Sequence, residues 1–195
     1  SGAYTVTIRA ATAARPELTL TGAWTIQGAS GALVVLEDWD IRKSSSGGGQ
    51  LLYANASGTT VTARRCTFIR TDGTDAVIYA NQAASLTLEN CLIVDRASGS
   101  TTSTIQLRGC DATTIRYCTI ANTSTTYRAL VYAHVFSATD TLTVQGCILR
   151  LGGTSTNAAI LRFENSTARD GYAGNGNVFS EATAASQVTA YVETG

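Results

Sequence analysis

Short stretches in which apolar and polar residues alternate recur along most of the chain. In Leu86–Glu89, two leucines alternate with a threonine and a glutamate, and after a break at Asn90 the alternation resumes at Cys91, Leu92 and Ile93. A hydrophobic period of two residues is typical of a β-strand with one buried face. The break at Asn90 therefore predicts a tight corner between two short strands.

These alternating stretches form a repeat with one anchor residue per copy. The anchor is cysteine in four copies, tryptophan in an earlier copy and asparagine in a later one. The anchors are Trp39, Cys66, Cys91, Cys118, Cys147 and Asn177, which step by 27, 25, 27, 29 and 30 residues. Two strands flank each anchor, and a third strand follows after a polar loop. A repeat of this size, which cannot bury its apolar face alone, is typical of a solenoid.

The repeat predicts an all-β fold, a right-handed parallel β-helix of about six to seven three-strand coils. Stacking buries the apolar face of each coil, and hydrogen bonds between coils about 4.8 Å apart satisfy the backbone. We expect residues 1–195 to form a single domain. Its parts are an N-terminal cap region at 1–17, coils at 18–179 and a C-terminal cap or fold-back segment at 180–195.

The repeat resembles that of the pectate-lyase-like β-helix family, from about Leu18 to about Phe179. The resemblance is carried by the corner Asn90-Cys91-x-Ile93 with its variants and by the stretch from Tyr4 to Pro16, which is similar to the first coil of such proteins. The family includes lyases, hydrolases, phage tail spikes and non-catalytic surface modules. The resemblance therefore implies the fold and leaves several functions open.

Composition and charge restrict the possible partners. Fourteen Lys and Arg residues balance 14 Asp and Glu residues. A neutral chain has no general attraction for nucleic acid or an anionic membrane, and no apolar run reaches the roughly 18 residues of a membrane span. The opening Ser1-Gly2 resembles a protease-cleavage scar. We therefore expect a segment of a longer extracellular or virion-associated protein, without nucleic-acid binding or membrane insertion.

The five cysteines predict packing rather than chemistry. Four of them share one inward position in successive coils, where small apolar side chains stack as a ladder. The chain has no CxxC pair, and its carboxylates are spread over different positions of the repeat, so no zinc or calcium pattern and no cofactor is indicated. Cys110 lies at a predicted corner and is the thiol that we expect to be exposed.

The loop Arg70–Asp75 is the nearest approach to a catalytic motif. It is similar to the Asn-Thr-Asp-Gly motif of polygalacturonase-type glycosidases, with Arg70 at the asparagine position and Asp72 and Asp75 as candidate acid and base. The Gly-His-Gly and Arg-x-Lys elements of that family are missing, and the single histidine, His134, has no flanking glycine. A turn at Asp72-Gly73 is the simpler interpretation. A polysaccharide lyase or glycoside hydrolase is the alternative function.

The third strand of each coil carries the candidate partner surface. With Arg108 and Arg162 facing outward, alternation predicts a solvent-facing apolar column of Leu52, Ile78, Val131 and Ile160. Such a stripe marks a partner surface, which a homotrimer of parallel helices, as in phage tail spikes, would cover. The opposite register would turn three tyrosines outward as a stacking platform for a polysaccharide: Tyr53, Tyr79 and Tyr132.

The first strand of each coil carries outward columns of threonine and of charge. The threonines are Thr62, Thr87, Thr114 and Thr143, and the charged column is Arg64, Glu89 and Arg116. Threonine ranks resemble the ice-binding faces of some β-solenoids, although threonine also suits any exposed strand, and the charged column would interrupt such a face. The leading functional expectation is a non-catalytic domain of a tail-spike-like, fibre-like or other extracellular surface protein that acts as a rigid shaft. Contact with glycans is an additional role in that expectation, and an ice-binding module is a further alternative.

Overall fold

The computed structural model describes residues 4–10, 15–26, 31–44, 49–55, 57–97, 103–123, 129–134, 137–152, 159–164, 166–181 and 188–192 of the 195-residue chain. These ranges contain three seven-stranded sheets and a short helix, α1 (Ser166–Asp170). The first sheet consists, in spatial order, of β1 (Thr5–Arg9), β4 (Leu33–Glu37), β7 (Thr60–Arg64), β10 (Ser85–Glu89), β13 (Ala112–Arg116), β16 (Thr141–Gln145) and β19 (Tyr172–Asn175). The second consists of β2 (Glu17–Leu20), β5 (Asp40–Lys43), β8 (Thr67–Arg70), β11 (Leu92–Asp95), β14 (Thr119–Asn122), β17 (Ile148–Leu151) and β20 (Val178–Glu181). The third consists of β3 (Thr25–Ile26), β6 (Leu52–Asn55), β9 (Ile78–Asn81), β12 (Ile105–Arg108), β15 (Ala129–His134), β18 (Ala159–Phe163) and β21 (Val188–Val192).

The predicted all-β parallel β-helix is confirmed. Each strand pairs in parallel with its equivalents one coil before and one coil after, three strands away along the chain. In the first sheet, for example, Leu86 lies opposite Val61 on one side and Thr113 on the other. The inward side chains of all three sheets meet in one continuous apolar core. No helix of the described ranges is long and apolar enough to cross a membrane.

A residue with positive φ forms each corner between the first and second strands. At Asn90, the break found in the sequence, φ is 52°, and the equivalent residues are Asp38, Arg65, Tyr117, Gly146 and Gly176. This left-handed conformation reverses the direction of the next side chain without a long loop, and it is accessible to glycine, asparagine and aspartate. Arg65 and Tyr117 adopt it at a local cost, which the packing of the coils on either side must offset.

The anchor after each of these corners turns inward, and five of the six anchors donate a hydrogen bond to the preceding coil. Cys91 Sγ donates to the carbonyl of Ala63 at 3.4 Å, and Cys147 Sγ donates to that of Ile115 at 3.5 Å. Three other anchors donate to the equivalent carbonyl: Trp39 Nε1 to Ile8 O at 3.1 Å, Cys66 Sγ to Leu36 O at 3.6 Å and Asn177 Nδ2 to Val144 O at 2.8 Å. Cysteine, tryptophan and asparagine can therefore share one position because each carries a donor.

All five thiols are free and buried. The predicted inward ladder of four cysteines is confirmed, whereas the predicted exposure of Cys110 is wrong. The residue before it, Gly109, has a φ of 59°, so Cys110 turns into the core by the same corner geometry as the anchors. Burial raises the pKa of the Cys110 thiol to about 11. The thiol is therefore protonated at neutral pH and is a poor nucleophile.

The outward apolar column predicted for the third sheet is wrong. Leu52, Ile78 and Ile160 are 0% exposed and Val131 is 1% exposed, so these four side chains belong to the core and do not form a partner surface. The cause is the register: Ile105, rather than Gln106, lies between Ile78 and Val131. Loops of unequal length separate the third strands from the anchors, and the sequence alignment is displaced by one residue at β12 and at β18, where Leu161 rather than Ile160 lies opposite Val131.

Candidate functional site

The outer surface of the third sheet carries two polar and aromatic columns. The first, the tyrosine column, is Tyr53, Tyr79, Gln106, Tyr132 and Arg162. The second, the amide–charge column, lies two residues further along each strand and is Asn55, Asn81, Arg108, His134 and Glu164. The register thus turns the three predicted tyrosines away from the core together with the two arginines, and no arginine is buried as a consequence. We call the two columns together the third-sheet face.

Two tyrosines at the N-terminal end of this face stack on each other. The ring centroids of Tyr53 and Tyr79 are 5.2 Å apart, and their planes differ by 4°. Parallel pairing of β6 with β9 places the two residues directly opposite each other, one coil apart. Both side chains are half-buried. The ring face of Tyr79 that points away from Tyr53 is directed towards Gln106, the next residue of the column.

Tyr132 is packed rather than accessible. The guanidinium carbon of Arg162 lies 5.5 Å from the centroid of its ring, within the range of a cation–π contact. The His134 ring lies beside it, with centroids 5.4 Å apart and planes tilted by 54°. Tyr132 is only 7% exposed. Its ring is therefore held in place by its neighbours and is nearly inaccessible to a ligand, whereas the half-buried rings of Tyr53 and Tyr79 are accessible.

The amide–charge column supplies hydrogen-bonding groups beside the tyrosines. Asn81 Nδ2 donates to Asn55 Oδ1 at 2.8 Å, which fixes the orientation of both amides. His134 Nε2 lies 3.1 Å from Glu164 Oε1. Between these pairs Arg108 is exposed and forms no ion pair with any residue of the described ranges. A planar cation with several N–H donors thus lies beside Asn81, one coil further along the face.

The predicted catalytic loop is held together by structural bonds. Arg70 is 0% exposed, as is its partner Asp95, and two bonds join them: Nε to Oδ1 at 3.1 Å and Nη2 to Oδ2 at 2.5 Å. A buried guanidinium with a bidentate carboxylate partner cannot contact a polysaccharide, which removes Arg70 from the candidate catalytic set. Asp72 is exposed and accepts a bond from the Gly73 N–H at 2.7 Å, the arrangement expected of a turn.

Asp75 joins this loop to the previous coil. Its Oδ2 accepts a hydrogen bond from the N–H of Gly49, and the carbonyl of Gly49 accepts one from Lys43 Nζ at 2.8 Å. Burial lowers the pKa of Lys43, and the nearby charge of Asp75 opposes that effect. The three predicted catalytic residues therefore have three different structural roles. Arg70 is buried in an ion pair, Asp72 stabilises a turn and Asp75 bonds a neighbouring loop.

The predicted charge ladder on the first sheet is present and longer than the sequence indicates. Arg64 Nε lies 3.3 Å from Glu89 Oε2, and Arg116 Nη2 lies 3.1 Å from the same oxygen. Glu37, in the coil before Arg64, extends the ladder and also pairs with Arg9. Beside the ladder Thr62 is nearly buried, while Thr87, Thr114 and Thr143 are half-buried. The threonine column is thus not a uniformly open plane.

The described ranges contain no group of three or more His, Cys, Asp and Glu side chains that could hold a metal ion. Comparison of the chain with protein-family models, with curated proteins and with solved structures gave no match.

The amide–charge column was not recognised in the sequence. Asn55 and Asn81 follow their tyrosines by two residues, and His134 follows Tyr132 by the same interval. A period of two places such residues on one face of a strand, so this spacing was the available signal. Reading it required knowing which side of these strands faces outward, and the displaced alignment of β12 and β18 had inverted the two sides.

Proposed function

We propose that this chain is a rigid, non-catalytic β-helix module of the pectate-lyase-like type that binds polysaccharide on the third-sheet face. It would serve as part of a larger extracellular or virion-associated protein. One group of side chains on that face carries the proposal. The half-buried, stacked rings of Tyr53 and Tyr79 lie beside the Asn55–Asn81 amide pair and the exposed Arg108.

The chemistry of these groups suits a sugar chain. Tyrosine combines an apolar ring with a polar hydroxyl, so it can contact the C–H groups of a sugar ring and also bond a sugar hydroxyl. The amides of Asn81 and Gln106 offer both donors and acceptors, as sugar hydroxyls do. Because the coils repeat about every 4.8 Å, these groups recur along the helix axis, and an extended polymer can contact several of them at once.

Rigidity supports binding on so shallow a surface. Each residue of the face lies on a strand that is paired on both sides, so the side chains are held before the ligand arrives. Binding then requires little ordering of the protein, which is a large cost for flexible sites. A shaft-like role and a glycan-binding role are therefore compatible in one domain.

The test is calorimetry with soluble polysaccharides that contain neutral or uronate sugars, using the wild type and Tyr79→Ala. We expect at least one polysaccharide to bind, and Tyr79→Ala to weaken its binding about fivefold or more, since stacking contacts contribute about 1 kcal/mol or more. Tyr4→Ala is the matched control, because Tyr4 is an exposed tyrosine that directly precedes β1, away from the third-sheet face. Equal weakening by both variants, or no binding by the wild type, would contradict the proposal.

The same samples test the enzymatic alternative. A lyase or glycoside hydrolase would release unsaturated products or reducing ends, and Asp72→Asn would abolish that release. The buried Arg70 and the bonded Asp75 give this alternative no additional support. Ice binding has no additional support either, because Thr62 is nearly buried and the charge ladder borders the threonine column.

A further inference from the structure

The corner that follows β19 carries the one Asn-Gly pair of the chain, Asn175-Gly176. Asn175 ends the strand, and Gly176 forms the corner with a φ of 63°. Both residues are exposed to solvent. Because glycine has no side chain, the main-chain nitrogen of Gly176 can approach the side chain of Asn175 closely. That nitrogen is the nucleophile in the spontaneous loss of ammonia from asparagine.

The equivalent corners of the earlier coils hold their main-chain amides. At each of them the N–H of the corner residue donates a hydrogen bond to a carbonyl of the following coil. The bonds run from Asp38 to Arg64 at 3.2 Å, Arg65 to Glu89 at 2.9 Å, Asn90 to Arg116 at 3.1 Å, Tyr117 to Gln145 at 2.9 Å and Gly146 to Asn175 at 3.0 Å. Such a bond ties up the nitrogen and fixes the peptide that the reaction would have to rotate.

The amide of Gly176 lacks this bond. β19 is the edge strand of the first sheet, and no residue of the described ranges accepts a hydrogen bond from the Gly176 N–H. The Asn175–Gly176 peptide is therefore held only through its carbonyl, which accepts the bond from Gly146. One coil earlier, the Gln145–Gly146 peptide is held on both sides, because the Gln145 carbonyl also accepts a bond from the Tyr117 N–H.

We propose that Asn175 is a spontaneous modification site, where the side-chain amide becomes a carboxylate through a cyclic imide. The Gly176 nitrogen loses its proton to solvent hydroxide and attacks Cγ of Asn175. The N–Cγ bond forms, the Cγ–Nδ2 bond breaks, and Nδ2 leaves as ammonia after taking a proton from water. One water molecule then opens the imide at either carbonyl, which yields aspartate or isoaspartate.

The modification acts on the closure of the last coil. Isoaspartate lengthens the main chain by one CH₂ group two residues before the anchor Asn177. This anchor bonds two groups of the preceding coil: its Nδ2 donates to Val144 O at 2.8 Å, and its Oδ1 accepts from the Cys147 N–H at 2.9 Å. Either product also adds a negative charge to the outer surface of the first sheet, beside Gln145.

The experiment compares two Asn-Gly pairs in one molecule. Gln145→Asn creates the second pair at the equivalent corner one coil earlier, where the Gly146 N–H is held. The folded variant is incubated in mildly alkaline buffer, and peptide mapping by mass spectrometry follows the exchange of NH for O at each asparagine. We expect Asn175 to convert about tenfold faster or more than the asparagine introduced at position 145. Tenfold corresponds to about 1.4 kcal/mol for local opening of the held corner.

The same variant unfolded in urea is the control for local sequence. There the two asparagines should convert at similar rates, because no coil holds either amide. Amide hydrogen exchange of the wild type gives a second measurement that requires no variant, and it decides if Gln145→Asn proves unfolded by circular dichroism. We expect the Gly176 N–H to exchange rapidly and the Gly146 N–H to be protected.

Four results would overturn the proposal. Asn175 could stay intact in the folded protein, or the two asparagines of the folded variant could convert equally fast. Their rates could differ as much in urea as in the folded state, which would assign the difference to neighbouring residues. Finally, the Gly176 amide could be as protected from exchange as that of Gly146.

Discussion

Three of the cysteines that follow the corners, Cys66, Cys91 and Cys147, combine two functions at one position. Each is buried in the apolar column and also donates a hydrogen bond to a carbonyl of the preceding coil, as Cys91 does to Ala63. Burial alone would favour any small apolar residue, whereas the bond requires a donor. The replacement of cysteine by Trp39 and Asn177 follows from the second requirement, since both side chains bond the equivalent carbonyl.

This dual role predicts the order of stability in a Cys91 series. Cys91→Ala removes the donor and leaves a small void, so we expect a loss of about 1 to 2 kcal/mol in the free energy of unfolding. Cys91→Ser keeps a donor and should lose less. Urea unfolding measures both values. If Cys91→Ser were the less stable variant, the position would be apolar in character and the bond unimportant.

A single glycine connects three parts of the chain near the predicted catalytic loop. Gly49 bonds both Asp75 and Lys43, and its φ of 115° is in the region that favours glycine. A Cβ built at this position would lie 2.9 Å from the backbone nitrogen of Ala23. The close approach to Ala23 and the backbone conformation both exclude larger residues.

Gly49→Ala should therefore destabilise the protein by about 1 to 3 kcal/mol. Gly22→Ala is the control, because an added Cβ at Gly22 meets no atom within 4 Å. Thermal or urea unfolding of the two variants gives the comparison. Equal stability of the two would show that the loop around Gly49 relaxes freely, contrary to this account.

At the scale of the strand, buried polar groups at the ends of the second-sheet strands form a column inside the molecule. Lys43, Arg70, Asp95 and Asn122 occupy equivalent positions in successive coils, and each is at most 1% exposed. Asp95 also accepts a bond from the N–H of Ala97 at 3.2 Å, so it secures the chain where β11 ends. Burial of charge is tolerated here because the Arg70–Asp95 pair is bidentate.

The buried pair and the exposed charge ladder should respond very differently to mutation. Asp95→Ala leaves the Arg70 guanidinium buried without its carboxylate, which should cost about 3 to 5 kcal/mol of stability. Arg116→Ala removes one exposed member of the ladder and should cost less than about 1 kcal/mol, with an effect that salt reduces further. Urea unfolding at low and high salt checks both expectations. Comparable losses for the two variants would contradict the contrast in burial.

At the scale of the whole molecule, three sheets of the same length present three different outer surfaces. The first is charged and internally paired, the second is apolar, and the third carries aromatic, amide and cationic groups. Because all three are built from the same stacked coils, one rod can present different contacts in different directions.

The sequence by itself determined the coil, the corners, the inward cysteine ladder and the outward charge ladder. These features lie within a few residues of each anchor, where the period of two and the break before Cys91 set the side-chain directions. Only the tertiary structure decided the register of the third sheet and the pairing of Arg70 with Asp95. Both depend on loops whose lengths vary between coils, and a displacement of one residue exchanges the inward and outward faces of a strand. The tyrosine column thus emerged from the pairing of strands across coils, which the spacing within a single coil does not specify.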